Sequence, residues 1–134
     1  GAQAAEAEGT ELTFQAVLQA ARENVGIERL TLVESAGGLL SPISWDATAV
    51  DLARALGAPV LLVADNRLGA ISQVRMALSV LRTHQVECLA VVLNARAEAQ
   101  GDIQGLNLTA LRRLEAVPCV ASADAAKAIL VTRT

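Results

Sequence analysis

Three short stretches of this chain carry residue types that could do chemistry. The first is TLVESAGGLLSP, from Thr31 to Pro42, where a carboxylate, Glu34, is followed by Ser35-Ala36-Gly37-Gly38. An acid at the end of an apolar run can hold Mg²⁺ directly or through water. Glycines beside it let backbone approach a ligand closely and tolerate positive φ. The second is Arg67-Leu68-Gly69-Ala70-Ile71-Ser72, between an apolar run and a helical pattern. Unpaired N–H groups and the positive dipole end of such a helix suit a carboxylate or phosphate. The third is Asn94, followed by Ala95, after CLAVVLN; a carboxamide offers both a donor and an acceptor to a base edge. Taken singly, each also fits a plain strand-to-loop turn.

Other reactive types are sparse. Cys88 and Cys119 each lie in an apolar run and read as buried free thiols. With no CxxC and a single histidine, His84, a zinc site is not expected. His84 falls near a helix C-terminus, where a cation is favourable. Trp45 falls in a loop, to cover a site or to serve a contact.

These residues need elements to hold them, and the hydrophobic pattern supplies an order. Helical spacing runs from about Glu11 to Asn24, capped at Thr10, with Gly26 as its stop. Arg29 to Glu34 reads as a strand. Thr48 opens a second helix, with Asp51 completing a capping box and Gly57 ending it. PVLLVAD, from Pro59, reads as a strand buried on both faces. A helix follows from Ala70 to Thr83, with Ile71, Val74, Leu78 and Leu81 inward. Cys88 to Asn94 is another buried strand. Leu108, Leu111 and Leu114 mark a further helix, Val117 to Ala121 a weaker strand, and Ser122 caps a last helix.

Strands alternating with helices predict an α/β fold, a parallel sheet with helices on both faces. Ligands of such sheets sit beyond the carboxyl ends of the strands, where Glu34, Asp65-Asn66 and Asn94 fall. Residues 1–9 read as a flexible N-terminal segment before one domain over 10–134. The net charge of −3 and a near absence of aromatics (Phe14 and Trp45) argue against nucleic acid. No apolar run approaches the roughly 20 residues that span a bilayer. No basic-then-apolar segment opens the sequence, so no membrane partner and a cytoplasmic location are expected.

Four phrases in order, VESAGGLLSPIS, TAVDLARALGAPVLLVAD, RLGAIS and LAVVLNA, resemble dethiobiotin synthetase and its relatives from about Leu30 to Leu114. The resemblance implies a P-loop NTPase-like α/β fold. It also implies an ATP-dependent ligase that uses Mg²⁺ to make dethiobiotin from 7,8-diaminononanoate and CO₂. Glu34 would then face the metal, and Ser35, Ala36, Gly37 and Gly38 would border ATP and substrate. Asn94 with Ala95 would read adenine. Leu68, Gly69, Ala70, Ile71 and Ser72 would receive the substrate carboxylate across a homodimer interface.

The sequence also departs from that family. It contains no G-x-x-x-x-G-K-[ST] phosphate cradle, and its one lysine, Lys127, follows no glycine. No catalytic residue of the family's front half has a counterpart. Ser35 stands for a glycine, Arg67 for a lysine, and Ser72-Gln73 for Asn-His. In the family the P-loop strand lies between the strands equivalent to LTLVE and PVLLVAD, so its loss would leave two apolar edges facing a gap. The expectation is therefore a C-terminal half-domain, inactive by itself. It would be completed by a second chain carrying the P-loop, or sealed by self-association. A non-catalytic assembly or regulatory module is the alternative; similar domains stand at the front of some phosphotransacetylases. A third reading is an unrelated doubly wound nucleotide-binding domain.

Overall fold

The computed structural model describes residues 12–26, 30–95 and 102–132. It divides into two compact units, Gly1–Ala58 and Pro59–Thr134. Thr10, Glu11 and the segment 1–9 lie outside the described residues.

In the first unit, helix α1 spans Phe14–Asn24. Its N-cap is Thr13 rather than the expected Thr10, so the helix begins three residues later than Glu11; Thr13 Oγ1 accepts from the Ala16 N–H at 3.3 Å. A short antiparallel hairpin follows, strand β1 (Pro42–Ser44) with strand β2 (Ala47–Thr48). Helix α2 then runs over Ala49–Leu56 and ends on Gly57 in the left-handed region. Its capping box is the one the sequence predicts. The Thr48 N–H donates to the Asp51 carboxylate at 2.8 Å, and the Thr48 hydroxyl donates to the same oxygen at 2.6 Å. Helices α1 and α2 pack together, and the Arg22 guanidinium donates to the Ala55 carbonyl at 3.1 Å.

The second unit is a three-stranded parallel sheet flanked by helices. Strand β3 (Val60–Asp65) pairs with β4 (Cys88–Asn94), and β4 pairs with β5 (Cys119–Val120). Helix α3 (Ala70–Thr83) connects β3 to β4, α4 (Ile103–Leu114) leads into β5, and α5 (Ala123–Val131) follows it. Ser122 caps α5 through a bond from the Ala125 N–H at 3.2 Å. Strand β4 is the spine of the core: Leu89, Ala90, Val91, Val92 and Leu93 are all buried. Val74, Leu78 and Leu81 of α3 and Leu111 of α4 complete that core. The register pairs Leu61 with Ala90 and Asp65 with Asn94.

Two expectations need correction. Residues 30–34 form no strand: Leu30, Leu32 and Val33 are exposed, and no ladder holds them. Their apolar pattern is suited to a strand, but a strand exists only when a neighbour takes up its backbone groups. Likewise β3 is not buried on both faces. It is the edge of the three-stranded sheet, and Val63 is 60% exposed. The hairpin over 42–48 is an element the hydrophobic pattern does not reveal, because its strands are only three and two residues long.

Candidate functional site

The candidate residues fall in two groups, one in each unit. In the first unit, Glu34, Ser35, Ala36, Gly37 and Gly38 are all exposed and lead into a turn that is anchored to α2. The Ser41 N–H donates to the Gly38 carbonyl, and the Gly38 N–H donates to Ser41 Oγ, each at 2.9 Å. The first N–H groups of α2 close the loop: Ala49 donates to the Ser41 carbonyl at 3.2 Å and Val50 to the Leu39 carbonyl at 3.0 Å. The loop thus takes up donors that a helix start otherwise leaves unpaired.

The two glycines are not equivalent. Gly37 has φ +85°, and a Cβ there would run into the Ser41 side chain. Gly38 has neither a left-handed φ nor any atom within 4 Å of where a Cβ would stand. Local packing therefore accounts for Gly37 and leaves Gly38 open on its surface side.

In the second unit, the parallel β3–β4 register brings two candidate stretches to the same carboxyl edge. Asp65 is paired with Asn94, so the chain leaving β3 (residues 66–72) and the chain leaving β4 (Asn94, Ala95) emerge side by side. Gly69, at φ +88°, is the N-cap of α3. Ala70 is fully buried beneath the turn, whereas Leu68 is 82% exposed at its tip. An open groove of about 620 Å³ runs along this end of α3, lined by Leu68, Ile71, Ser72, Met76 and Asn107 among others. Its walls are mainly apolar, and its polar groups are spread along the helix, from Ser72 to Arg75 and Ser79, with Asn107 of α4 opposite.

Asn94 and Ala95 are exposed, and the Asn94 carbonyl accepts the Asn66 N–H at 2.9 Å. Asn66 was legible only as one of the polar residues at a strand end. Its partner, Asn107, was not singled out at all. Both are buried, and the Asn107 Nδ2 donates to Asn66 Oδ1 at 2.9 Å and to the Arg67 carbonyl at 3.0 Å. The available signal was position: Asn107 lies four residues before the buried Leu111, on the inward stripe of α4.

The remaining reactive groups are structural. Cys119 is buried as expected and Cys88 only partly so; burial pushes both thiols above their ordinary 9.0. His84 caps α3, with its Nδ1 2.9 Å from the Val80 carbonyl. Trp45, 67% exposed, sits at the turn of the hairpin. Beside it, the Ser44 hydroxyl donates to the Asp46 carboxylate at 2.7 Å. Among the described residues no group of three or more His, Cys, Asp or Glu could hold a metal, and no helix is long and apolar enough to cross a membrane.

Comparison with known proteins gives this geometry a family. The ATP-dependent dethiobiotin synthetase BioD of Phenylobacterium zucineum is 49% identical over 71 residues, covering 53% of this chain and 30% of that protein. The enzyme of the same name from Anaeromyxobacter dehalogenans is 36% identical over 113 residues, covering 84% of this chain and 51% of that protein. A Caulobacter counterpart is 45% identical over 89 residues, 66% of this chain and 37% of its own length. The chain thus spans from under a third to about half the length of these curated relatives. A model of the AAA domain family AAA_26 matches residues 2–129, so the chain belongs to that family, in its dethiobiotin-synthetase-like branch.

Proposed function

We propose that this chain is the C-terminal part of a dethiobiotin-synthetase-like cyclo-ligase, completed by a second polypeptide that carries the P-loop. The reaction would close the ureido ring of dethiobiotin from 7,8-diaminononanoate, CO₂ and ATP. The diamine carbamate is phosphorylated and then cyclises. The observation that carries this reading is the shared carboxyl edge of β3 and β4. It sets Asn94 beside the Leu68–Ser72 turn in a chain of this family. On this reading Asn94 and Ala95 meet adenine, and the α3 start, from Leu68 to Ser72, receives the substrate carboxylate. The dipole of that helix start and its N–H groups after Ala70, whose own N–H is held by the Arg67 carbonyl, favour an anion there.

Mg²⁺ would be held by Glu34 together with the ATP phosphates. Mg²⁺ commonly takes one or two carboxylates and fills its other positions with phosphate oxygens and water. A single exposed carboxylate fits that donor set, and a dedicated all-protein cage would need more acids than the described residues group together. The metal supplies charge neutralisation at the phosphates. Gly38, free of local packing constraint, lets backbone come close to the nucleotide.

Support for the second polypeptide comes from the sequence and the sheet. No lysine-bearing phosphate cradle occurs in these residues, and among the described residues β3 is the outer strand of its sheet. The phosphate-neutralising lysine would come from the completing chain. Self-association through the exposed α3 start is the other route to a closed assembly. The test is an ATP-dependent ring-closure assay of the chain with and without a P-loop-bearing partner. Turnover only in the mixture is expected, and no turnover in any mixture sinks the proposal.

A second reading, a non-catalytic assembly or regulatory module, draws on the substitutions at Ser35, Arg67 and Ser72-Gln73. Calorimetry with Mg-ATP separates the two. Clear binding by the isolated chain counts against a purely structural module, and none favours it.

A further inference from the structure

Two buried carboxamides tie the α3 start to helix α4. Asn66 is 4% exposed and Asn107 is 7% exposed, and together they use most of their hydrogen-bonding groups on each other and on nearby backbone. Asn107 Nδ2 donates to both Asn66 Oδ1 and the Arg67 carbonyl. Asn66 Nδ2 donates to the Gln104 carbonyl at 3.2 Å. The Asn66 backbone N–H reaches the Asn94 carbonyl. The Arg67 carbonyl also accepts the Ala70 N–H at 3.0 Å, the bond that closes the turn. The amide orientations follow from these partners, because flipping Asn107 would set its oxygen against two acceptors.

Chemically, the arrangement is demanding. Only a side chain with two N–H donors on one nitrogen can serve Asn66 Oδ1 and the Arg67 carbonyl at once. An aspartate at 107 has the same shape but would meet two oxygens with no proton to share. A buried acceptor left without its donor is costly. The pair therefore links three segments: the end of β4 through Asn66 N–H, the α3 start through the Arg67 carbonyl, and α4 through Gln104.

We propose that Asn66 and Asn107 are positioning residues that fix the Arg67–Gly69 turn against α4. They thereby set the N–H groups of the α3 start for an anionic substrate group. This rests on the reading above of Leu68–Ser72 as the substrate-carboxylate turn. Neither residue needs to touch the substrate; the pair acts through the turn it holds.

Hydrogen exchange on the full chain tests the positioning without relying on activity. In Asn107→Asp, amides from 66 to 72 should exchange about tenfold faster, the scale of losing buried hydrogen bonds. Amides at the centre of β4, Val91 to Leu93, should keep their protection. Unchanged rates in the turn overturn the proposal, and so does an equal acceleration everywhere, which would make the pair general packing. If Asn107→Asp does not fold, Asn66→Asp reports the same local ratio, since it keeps an acceptor for Asn107 and sets a carboxylate oxygen against the Gln104 carbonyl.

The completed ligase gives a second readout. Asn107→Asp should raise KM for 7,8-diaminononanoate about tenfold, with KM for ATP unchanged. A fall in kcat alone, or an equal rise in both KM values, overturns the role. Should the wild-type mixture show no turnover, the function proposed above fails, and the exchange ratio still decides whether the pair positions the turn.

Discussion

CLAVVLN (88–94) and LTLVES (30–35) are both short, apolar and rich in β-branched residues, yet only one is a strand. β4 has β3 on one side and β5 on the other, and Ala90, Val91 and Leu93 are fully buried. In the other stretch, Leu32 is 72% and Val33 50% exposed, and no ladder forms. The difference teaches that strand propensity describes fitness for a pleated, partly buried surface, and that a neighbour must provide the surface. It also explains why the candidate residues at the two ends differ. Asn94 leaves a fixed ladder, whereas Glu34 leaves a run without a ladder, held at Thr31 by the Gly26 N–H at 3.5 Å and beyond Glu34 by the Gly38–Ser41 turn and α2.

The comparison breaks most directly by deleting side chains from each stretch. Leu93→Ala should cost about 2–5 kcal/mol, the usual range for a fully buried leucine. Leu32→Ala should stay within about 0.5 kcal/mol, as for exposed positions. Urea unfolding of both variants checks this, and an equal loss at Leu32 would mean that the stretch is covered in solution.

The next largest effect concerns function at the end of the unpaired stretch. In the completed ligase, Glu34→Gln should lower ring closure about a hundredfold, the scale of removing one charged group from a transition-state site. The Mg²⁺ requirement should shift to higher concentration. An unchanged rate would remove Glu34 from the site.

The anchor beyond Glu34 can be probed through its glycines. Gly37→Ala should cost about 1–3 kcal/mol, because a non-glycine residue is strained at positive φ and its Cβ would displace Ser41. Gly38→Ala should leave stability nearly unchanged, since nothing stands near its Cβ. A larger thermal shift for Gly38→Ala would reverse that assignment. In the assembled enzyme, loss of nucleotide affinity in Gly38→Ala without loss of stability would mark the ligand side of the loop.

The smallest effect lies on the paired side, where α3 meets the residue after α4. Glu115 takes bonds from Arg75 at 2.9 Å and Arg82 at 3.2 Å. Burial alone would raise its pKa, but the two guanidinium bonds outweigh this and hold it below the ordinary 4.5. A carboxyl with a lowered folded pKa contributes stability that is fully present above 4.5. That contribution is lost as pH falls through the folded value. Both arginines are more than half exposed, so solvent screening keeps the contribution below about 1 kcal/mol. Glu115→Gln should therefore flatten the acid side of the stability curve slightly, read as urea midpoints above and below pH 4.5.

Much of the second unit was legible in the sequence. The limits of α3 and β4 and the Ser122 cap, like the Thr48–Asp51 box of the first unit, follow from local pattern, because helical periodicity and caps are satisfied within a few residues. The family was legible too, since four ordered phrases carry it. Among the site residues, Asn94 and the Leu68–Ser72 turn were found as strand-end polar and glycine-bearing stretches. The Asn66–Asn107 pair was not, because its partners are 41 positions apart. The exposure of β3 is not legible, because an apolar run looks the same at the edge of a sheet as at its centre.

The α/β alternation, the ends of α2 and α3 and the family are legible from the chain alone, since all rest on short-range spacing or on ordered phrases. Only the tertiary structure decided which apolar run is a central strand, which is an edge and which has no ladder. It alone separated the two glycines of the Glu34 turn and joined the α3 start to α4. The physical reason is common to these cases: backbone pairing, side-chain clash and buried amide bonds depend on neighbours that are distant in sequence or set by backbone dihedrals.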